Sequence, residues 1–90
     1  MKKVSQTNQF SRDIKRMRKR GYDLQKLKGV VNLLAEGTPL PESYRDHPLV
    51  GSWQPSRDCH IEPDWILIYT TSKDFLRLER TGTLSDLFKK

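Results

Sequence analysis

The sequence predicts an α+β fold, with an N-terminal helical hairpin packed on one face of a twisted, mostly antiparallel sheet of four to five strands. Three observations carry this. Apolar residues recur at helical spacing as far as residue 36, and beyond Pro48 the pattern changes to short strand-like runs divided by turn chemistry. The links between those runs are too short for crossovers, so neighbouring strands should pair antiparallel.

Taken in order, residues 1–9 (MKKVSQTNQ) read as an edge strand or a frayed end. From Ser11 the pattern is helical, with Phe10, Ile14 and Met17 on one face and Gly21 past the C-terminus. A second helix runs from the N-cap Asp23 to Glu36. Its stripe is Leu24, Leu27, Val31 and Leu34, widened by Val30 and Leu33, and Gly37, Pro39 and Pro41 end it. The short link Arg20–Tyr22 makes the two an antiparallel hairpin. After the polar connection 41–48, strands are expected at Val50–Gln54, Arg57–Glu62, Trp65–Thr71 and Phe75–Arg80. The unbroken Ile66-Leu67-Ile68 marks a central strand covered on both faces. Leu76 and Leu78 alternate with Arg77 and Glu79, which gives the last strand one wet face. Ser85–Lys90 suits one helical turn. With the helices on one side, the other sheet face is free to bind.

Ninety residues suit a single domain spanning 1–90. Hydrophobic residues make up 34%, below the usual ~45–50%, so a shallow surface site is expected rather than a deep cofactor cavity. The apolar runs fall short of the ~20 residues of a membrane span, and no signal-peptide pattern opens the sequence. One cysteine, Cys59, excludes an internal disulfide and fits a reducing cytoplasm. One Cys and two His without ligand spacing argue against a metal centre. Seventeen Lys and Arg against eleven Asp and Glu leave a net charge of +6, so the expected partner is a polyanion. Arg12, Lys15, Arg16, Arg18, Lys19 and Arg20 crowd the first helix; they form either a solvated face or a phosphate-facing one.

Polar residues collect in the strand-rich half: His47, Arg57, Asp58, His60, Asp64, Arg77 and Arg80. By a period of two, His60 shares a face with Asp58 and Glu62, and a carboxylate beside an imidazole can orient it. Each His alone is more simply a surface or structural residue. Two His, an Arg and an Asp on one sheet face could instead run metal-free acid–base chemistry on a phosphodiester. Trp53, Trp65, Tyr69 and Phe88 could stack on bases, although core packing is the simpler reading of Tyr69.

The segments Tyr44-Arg45-Asp46-His47-Pro48-Leu49-Val50-Gly51-Ser52-Trp53, Arg57-Asp58-Cys59-His60-Ile61-Glu62-Pro63-Asp64-Trp65 and Arg80-Thr81-Gly82-Thr83-Leu84-Ser85-Asp86-Leu87-Phe88 together resemble the YafQ branch of the RelE-type toxins. The resemblance implies a RelE-like fold and a ribosome-dependent, metal-independent endoribonuclease that needs no cofactor. Such a toxin cuts mRNA in the ribosomal A site by attack of the substrate's 2′-hydroxyl. It also implies a cytoplasmic protein whose partners are the ribosome and mRNA, a cognate DinJ-like antitoxin and, through that complex, operator DNA. By the motif, His47 is the general base, and His60 and Asp64 position substrate and tune the site. Arg80 stabilises the phosphorane; Trp65 and Phe88 contact bases or support the site, and Arg57 and Arg77 bind substrate. Arg80→Ala should then abolish cleavage and leave the fold intact.

One position departs from the family pattern. Leu84 stands where the family carries a His, the expected general acid, and losing an acid–base residue costs typically about 10²–10⁴-fold in rate. Three explanations stay open: another donor such as His60, a weak or inactive toxin acting through antitoxin binding and repression, or an inactivating substitution.

Overall fold

The computed structural model describes residues 1–88. Its strands are β1 (Lys3–Gln6), β2 (His47–Pro48), β3 (Arg57–Glu62), β4 (Trp65–Thr71) and β5 (Phe75–Gly82); its helices are α1 (Asn8–Lys19), α2 (Leu24–Ala35) and α3 (Leu84–Phe88). The five strands form one sheet in the order β1-β5-β4-β3-β2. Three pairings are antiparallel, as the short links require, while β1 joins β5 in parallel. That pairing joins the two ends of the chain, and local spacing carries no sign of it. The helical turn expected at the C-terminus begins at Leu84; Lys89 and Lys90 lie outside the described residues.

The sequence signals for the helices act as expected. Thr7 caps α1 by accepting the Phe10 amide, and Asp23 caps α2 by accepting that of Gln25. Gly21 and Gly37 follow the two helices at φ 87° and 76°, in the left-handed region that glycine enters freely. Phe10 and Met17 of α1 and Leu27, Val30 and Ala35 of α2 are buried against Cys59, Ile61, Trp65, Leu67, Tyr69, Leu76 and Leu78 of the sheet. This is the main core. Ile66-Leu67-Ile68 is central and buried on both faces, as its unbroken apolar run predicts.

Two expectations are corrected. Val50–Gln54 is not a strand: Gly51 takes φ 70°, residues Gly51–Trp53 form a 3₁₀ turn, and the paired residues are His47 and Pro48. The far sheet face is also not wholly free. Ile66, Ile68 and Leu87 form a second small core there, with Leu49, Trp53 and Phe88 packed against it.

Candidate active site

The site lies on the sheet face opposite α1 and α2, and strand register builds it. His47 of β2 pairs with Asp58 of β3, Asp58 with Ile68 of β4, and Ile68 with Arg80 of β5, so these residues form one row across the sheet. The adjacent row is His60, Ile66 and Gly82. Neighbouring strands are about 4.8 Å apart, so histidines on one side and Arg80 on the other flank the buried Ile66 and Ile68.

Two β-bulges decide which side chains reach this face. From Leu76 and Leu78, which point into the main core, a strict period of two would bury Arg80 beside them. The ladder between β4 and β5 slips instead: Tyr69 faces Leu78 and Ile68 faces Arg80, leaving Glu79 as the extra residue. The bulge turns Arg80 to the site face and Thr81 to the core, re-aiming a side chain as bulges commonly do near active sites. A second slip between His60 and Glu62 corrects the expectation that Glu62 shares the face of His60 and Asp58. Glu62 lies on the helix side and pairs with Lys26 of α2 at 3.1 Å.

Each polar side chain is held by named partners. His47 is about half exposed; its Nδ1 lies 2.8 Å from the Arg45 carbonyl and its Nε2 3.0 Å from Oδ1 of Asp58. A carbonyl only accepts, so Nδ1 carries a hydrogen. The Nε2–Asp58 contact is then attractive only when an extra proton sits on one of the pair. Asp58 is almost fully buried, and among the described residues the contact of its Oδ1 with His47 is an ion-pair approach rather than a hydrogen bond. Burial pushes its carboxyl above the ordinary range, while His47 and His60 pull it back. His60 donates Nδ1–H to the Pro63 carbonyl at 3.1 Å, which leaves Nε2 as the lone-pair nitrogen of the neutral ring. Asp64 accepts the Leu84 amide on Oδ1 at 3.0 Å, so position 84 stands beside it. The helix that starts there is fixed by a reciprocal cap: Thr83 N–H donates to Asp86, and Asp86 N–H donates to the Thr83 hydroxyl. Arg20, the C-cap of α1, donates to Asp86 at 2.6 and 3.2 Å and holds its carboxyl well below the usual range.

Arg80 is less free than its motif implies. Its Nε and Nη2 donate to the two carboxylate oxygens of Asp13 on α1, at 2.7 and 3.2 Å, and Asp13 is fully buried. Arg80→Ala would strand that carboxylate with Arg16, the Thr81 amide and Gln9. Breaking a buried ion pair costs up to about 3–5 kcal/mol, so Arg80→Ala is expected to lower stability as well as cleavage.

Two residues expected to touch substrate, Trp65 and Arg57, lie on the helix side of the sheet, while Arg77 stays on the site face. Trp65 has no exposed surface; it packs edge-on to Tyr22 at 5.1 Å and donates its indole N–H to Thr81 at 2.9 Å. It faces the core and offers no surface on which a base could stack. Arg57 lies on the helix side, bonded to Asp46, which also accepts the Tyr69 hydroxyl at 2.5 Å. Arg77 shares the site face but sits in the row of Thr70, where Glu79 binds its Nε at 2.7 Å. Phe88 is partly exposed and meets Trp53 edge-on at 6.1 Å above the second core.

The residues that the sequence reading missed are Asp13 and Asp46. A signal for Asp13 was available: with Phe10, Ile14 and Met17 it completes an i, i+3, i+4, i+7 stripe, and an acid within an apolar stripe calls for a buried partner. Cys59 is buried and its thiol is pushed up to about 12, chiefly by burial, so it is no nucleophile. Among the described residues, no group of three His, Cys, Asp or Glu is placed to hold a metal ion, and no helix is long and apolar enough to cross a membrane.

Known proteins share this architecture and much of this sequence. Residues 2–89 match the family model described as a bacterial toxin of type II toxin–antitoxin system, YafQ. The mRNA interferase toxin YafQ of Escherichia coli K12 is 51% identical over 86 residues, covering 94% of each chain. The crystal structure of the E. coli DinJ–YafQ complex matches with a TM-score of 0.92 at 48% identity, over 98% of this chain and 99% of that one. YafQ from E. coli BL21(DE3) matches with a TM-score of 0.93 at 49% identity, over 98% and 99%. With nearly its whole length matched in sequence and in fold, the chain belongs to the YafQ family of toxins of bacterial type II toxin–antitoxin systems.

Proposed function

We propose that this chain is an mRNA interferase: it cuts messenger RNA in the ribosomal A site in the cytoplasm, and a DinJ-like antitoxin neutralises it and joins it in repressing their shared promoter. The observation that carries the reading is the row His47–Asp58–Ile68–Arg80, with His60 in the adjacent row. It sets proton-transfer groups and a guanidinium around one strip of sheet. The relative named an mRNA interferase toxin and the E. coli protein crystallised with DinJ support the activity and the partner. A net charge of +6 suits docking among ribosomal RNA phosphates.

The cleavage needs a base, an acid and a clamp for developing charge. His60 takes the 2′-hydroxyl proton on Nε2, and the freed oxygen attacks the neighbouring phosphorus. Arg80 stabilises the charge that builds on the phosphorane oxygens. His47 gives its proton to the departing 5′-oxygen, leaving a 2′,3′-cyclic phosphate and a 5′-hydroxyl. His47 is assigned the acid role, rather than the base role suggested by its motif, because both ring nitrogens face acceptors, Nδ1 the Arg45 carbonyl and Nε2 Asp58. Leu84, beside Asp64, cannot donate a proton, so protonation of the leaving group rests on His47.

Leu84 itself favours a second reading, in which the chain keeps antitoxin binding and repression with little cleavage. His47→Gln separates the site from the interface. In a reconstituted translation system it is expected to lose cleavage, while calorimetry shows unchanged antitoxin binding. Full cleavage by His47→Gln would overturn the assignment of the acid.

A further inference from the structure

Arg80 is the one arginine of the site row, and its aim depends on a residue 67 positions away in sequence. β1 pairs with β5 only as far as Leu78. Beyond that point the outer edge of β5 carries an unpaired Thr81 amide. Asp13 of α1 fills the gap and accepts that N–H on Oδ2 at 3.1 Å. The same carboxylate receives Nε and Nη2 of Arg80 and, at 3.0 Å, Nη2 of Arg16. It is fully buried, so these contacts are protected from water.

We propose that Asp13 is a positioning residue for the cleavage reaction. Its buried carboxylate grips the Nε edge of Arg80 and so fixes the plane in which the other end of the guanidinium meets the phosphate. This rests on the reading of Arg80 as the group that stabilises the phosphorane. A guanidinium is planar, and its five donors form a rigid fork. Two oxygens on one edge therefore set the direction of the remaining N–H groups, which a single contact would leave free to swing. The charges fit the role. Arg80 and Arg16 against Asp13 leave a net positive charge in the cluster, so the grip orients the cation without cancelling it. The Thr81 amide ties the carboxylate to the β5 backbone just past the bulge, so the device that turns Arg80 to the site face and the one that aims it are adjacent.

The test is single-turnover cleavage of mRNA on programmed ribosomes. It compares the chain and its Leu84→His variant, each alone and with Asp13→Asn, Arg80→Gln or both. Asp13→Asn is expected to slow cleavage roughly 10²-fold, the scale of a misplaced catalytic group, with the half-saturating toxin concentration unchanged. On the Arg80→Gln background it should add almost nothing. An unchanged rate, or the same fold-loss in both backgrounds, would overturn the proposal, since a purely structural role acts regardless of residue 80. If circular dichroism shows Asp13→Asn unfolded, Asp13→Glu, which keeps the charge and displaces it, takes its place with the same readouts.

Failure of the cleavage reading itself looks different, because neither parent then cuts. NMR of the arginine Nε–H groups decides the grip in that case. An Arg80 signal protected from exchange in the parent and lost on Asp13 substitution supports it; an unprotected signal in the parent overturns it.

Discussion

Trp65→Phe tests whether the site's tryptophan works through stability or through contact with RNA. The indole has no exposed surface, and its N–H donates to the Thr81 hydroxyl, which in turn donates to the Ile66 carbonyl. Phenylalanine keeps an edge for Tyr22 and removes the donor. The lost hydrogen bond is worth about 1 kcal/mol. The missing ring leaves roughly 40 Å³ unfilled, another ~1 kcal/mol at about 24 cal/mol per Å³. For a domain of this size each kcal/mol shifts Tm by about 4–8 °C, so a fall of roughly 8–16 °C is expected. The assay pairs thermal unfolding with single-turnover cleavage at a temperature where the variant is fully folded. The rate per folded molecule should stay within a few-fold of the parent. A stable variant with cleavage abolished would refute the reasoning and return Trp65 to the RNA.

Two further predictions concern the attachment of α3. A Cβ added at Gly82 would meet Cβ and Oδ2 of Asp86 at 3.1 Å and Nη2 of Arg16 at 3.3 Å, so Gly82→Ala should cost about 1–3 kcal/mol in urea unfolding; a neutral result would mean that the cap around Asp86 is soft. Arg20, the Thr83 amide and hydroxyl, and Arg16 hold the Asp86 carboxyl low. Its contribution is therefore complete above the ordinary carboxylate range and is lost as pH falls through and below it. Asp86→Asn should flatten the acid limb of stability against pH, and an acid limb identical to that of the parent would contradict the ion pair's role.

The parts of this protein legible in its sequence are those set by local chemistry. Pro63-Asp64 and Ser72-Lys73-Asp74 delimit strands, and Arg57–Glu62 and Trp65–Thr71 form with the expected bounds. Asp23 and Gly37 do the same for α2. What escapes is non-local. The parallel partner of β1 lies 72 residues away, from Lys3 to Phe75. The bulges at Glu79 and Ile61 reverse which face Arg80 and Glu62 occupy, and alternation alone gives the wrong side for both. The motif names His47, His60, Asp64 and Arg80, yet the pairing of two of them with carboxylates, His47 with Asp58 and Arg80 with Asp13, emerges only from geometry.

The central claim is that the face carrying His47, His60 and Arg80 cuts RNA. Primer-extension mapping of mRNA on programmed ribosomes, with the chain and its Leu84→His variant side by side, tests it most directly. Cleavage at the same positions by both is expected, with 5′-hydroxyl products, because His47 supplies the proton to the leaving oxygen in each. No cleavage by either protein would contradict it.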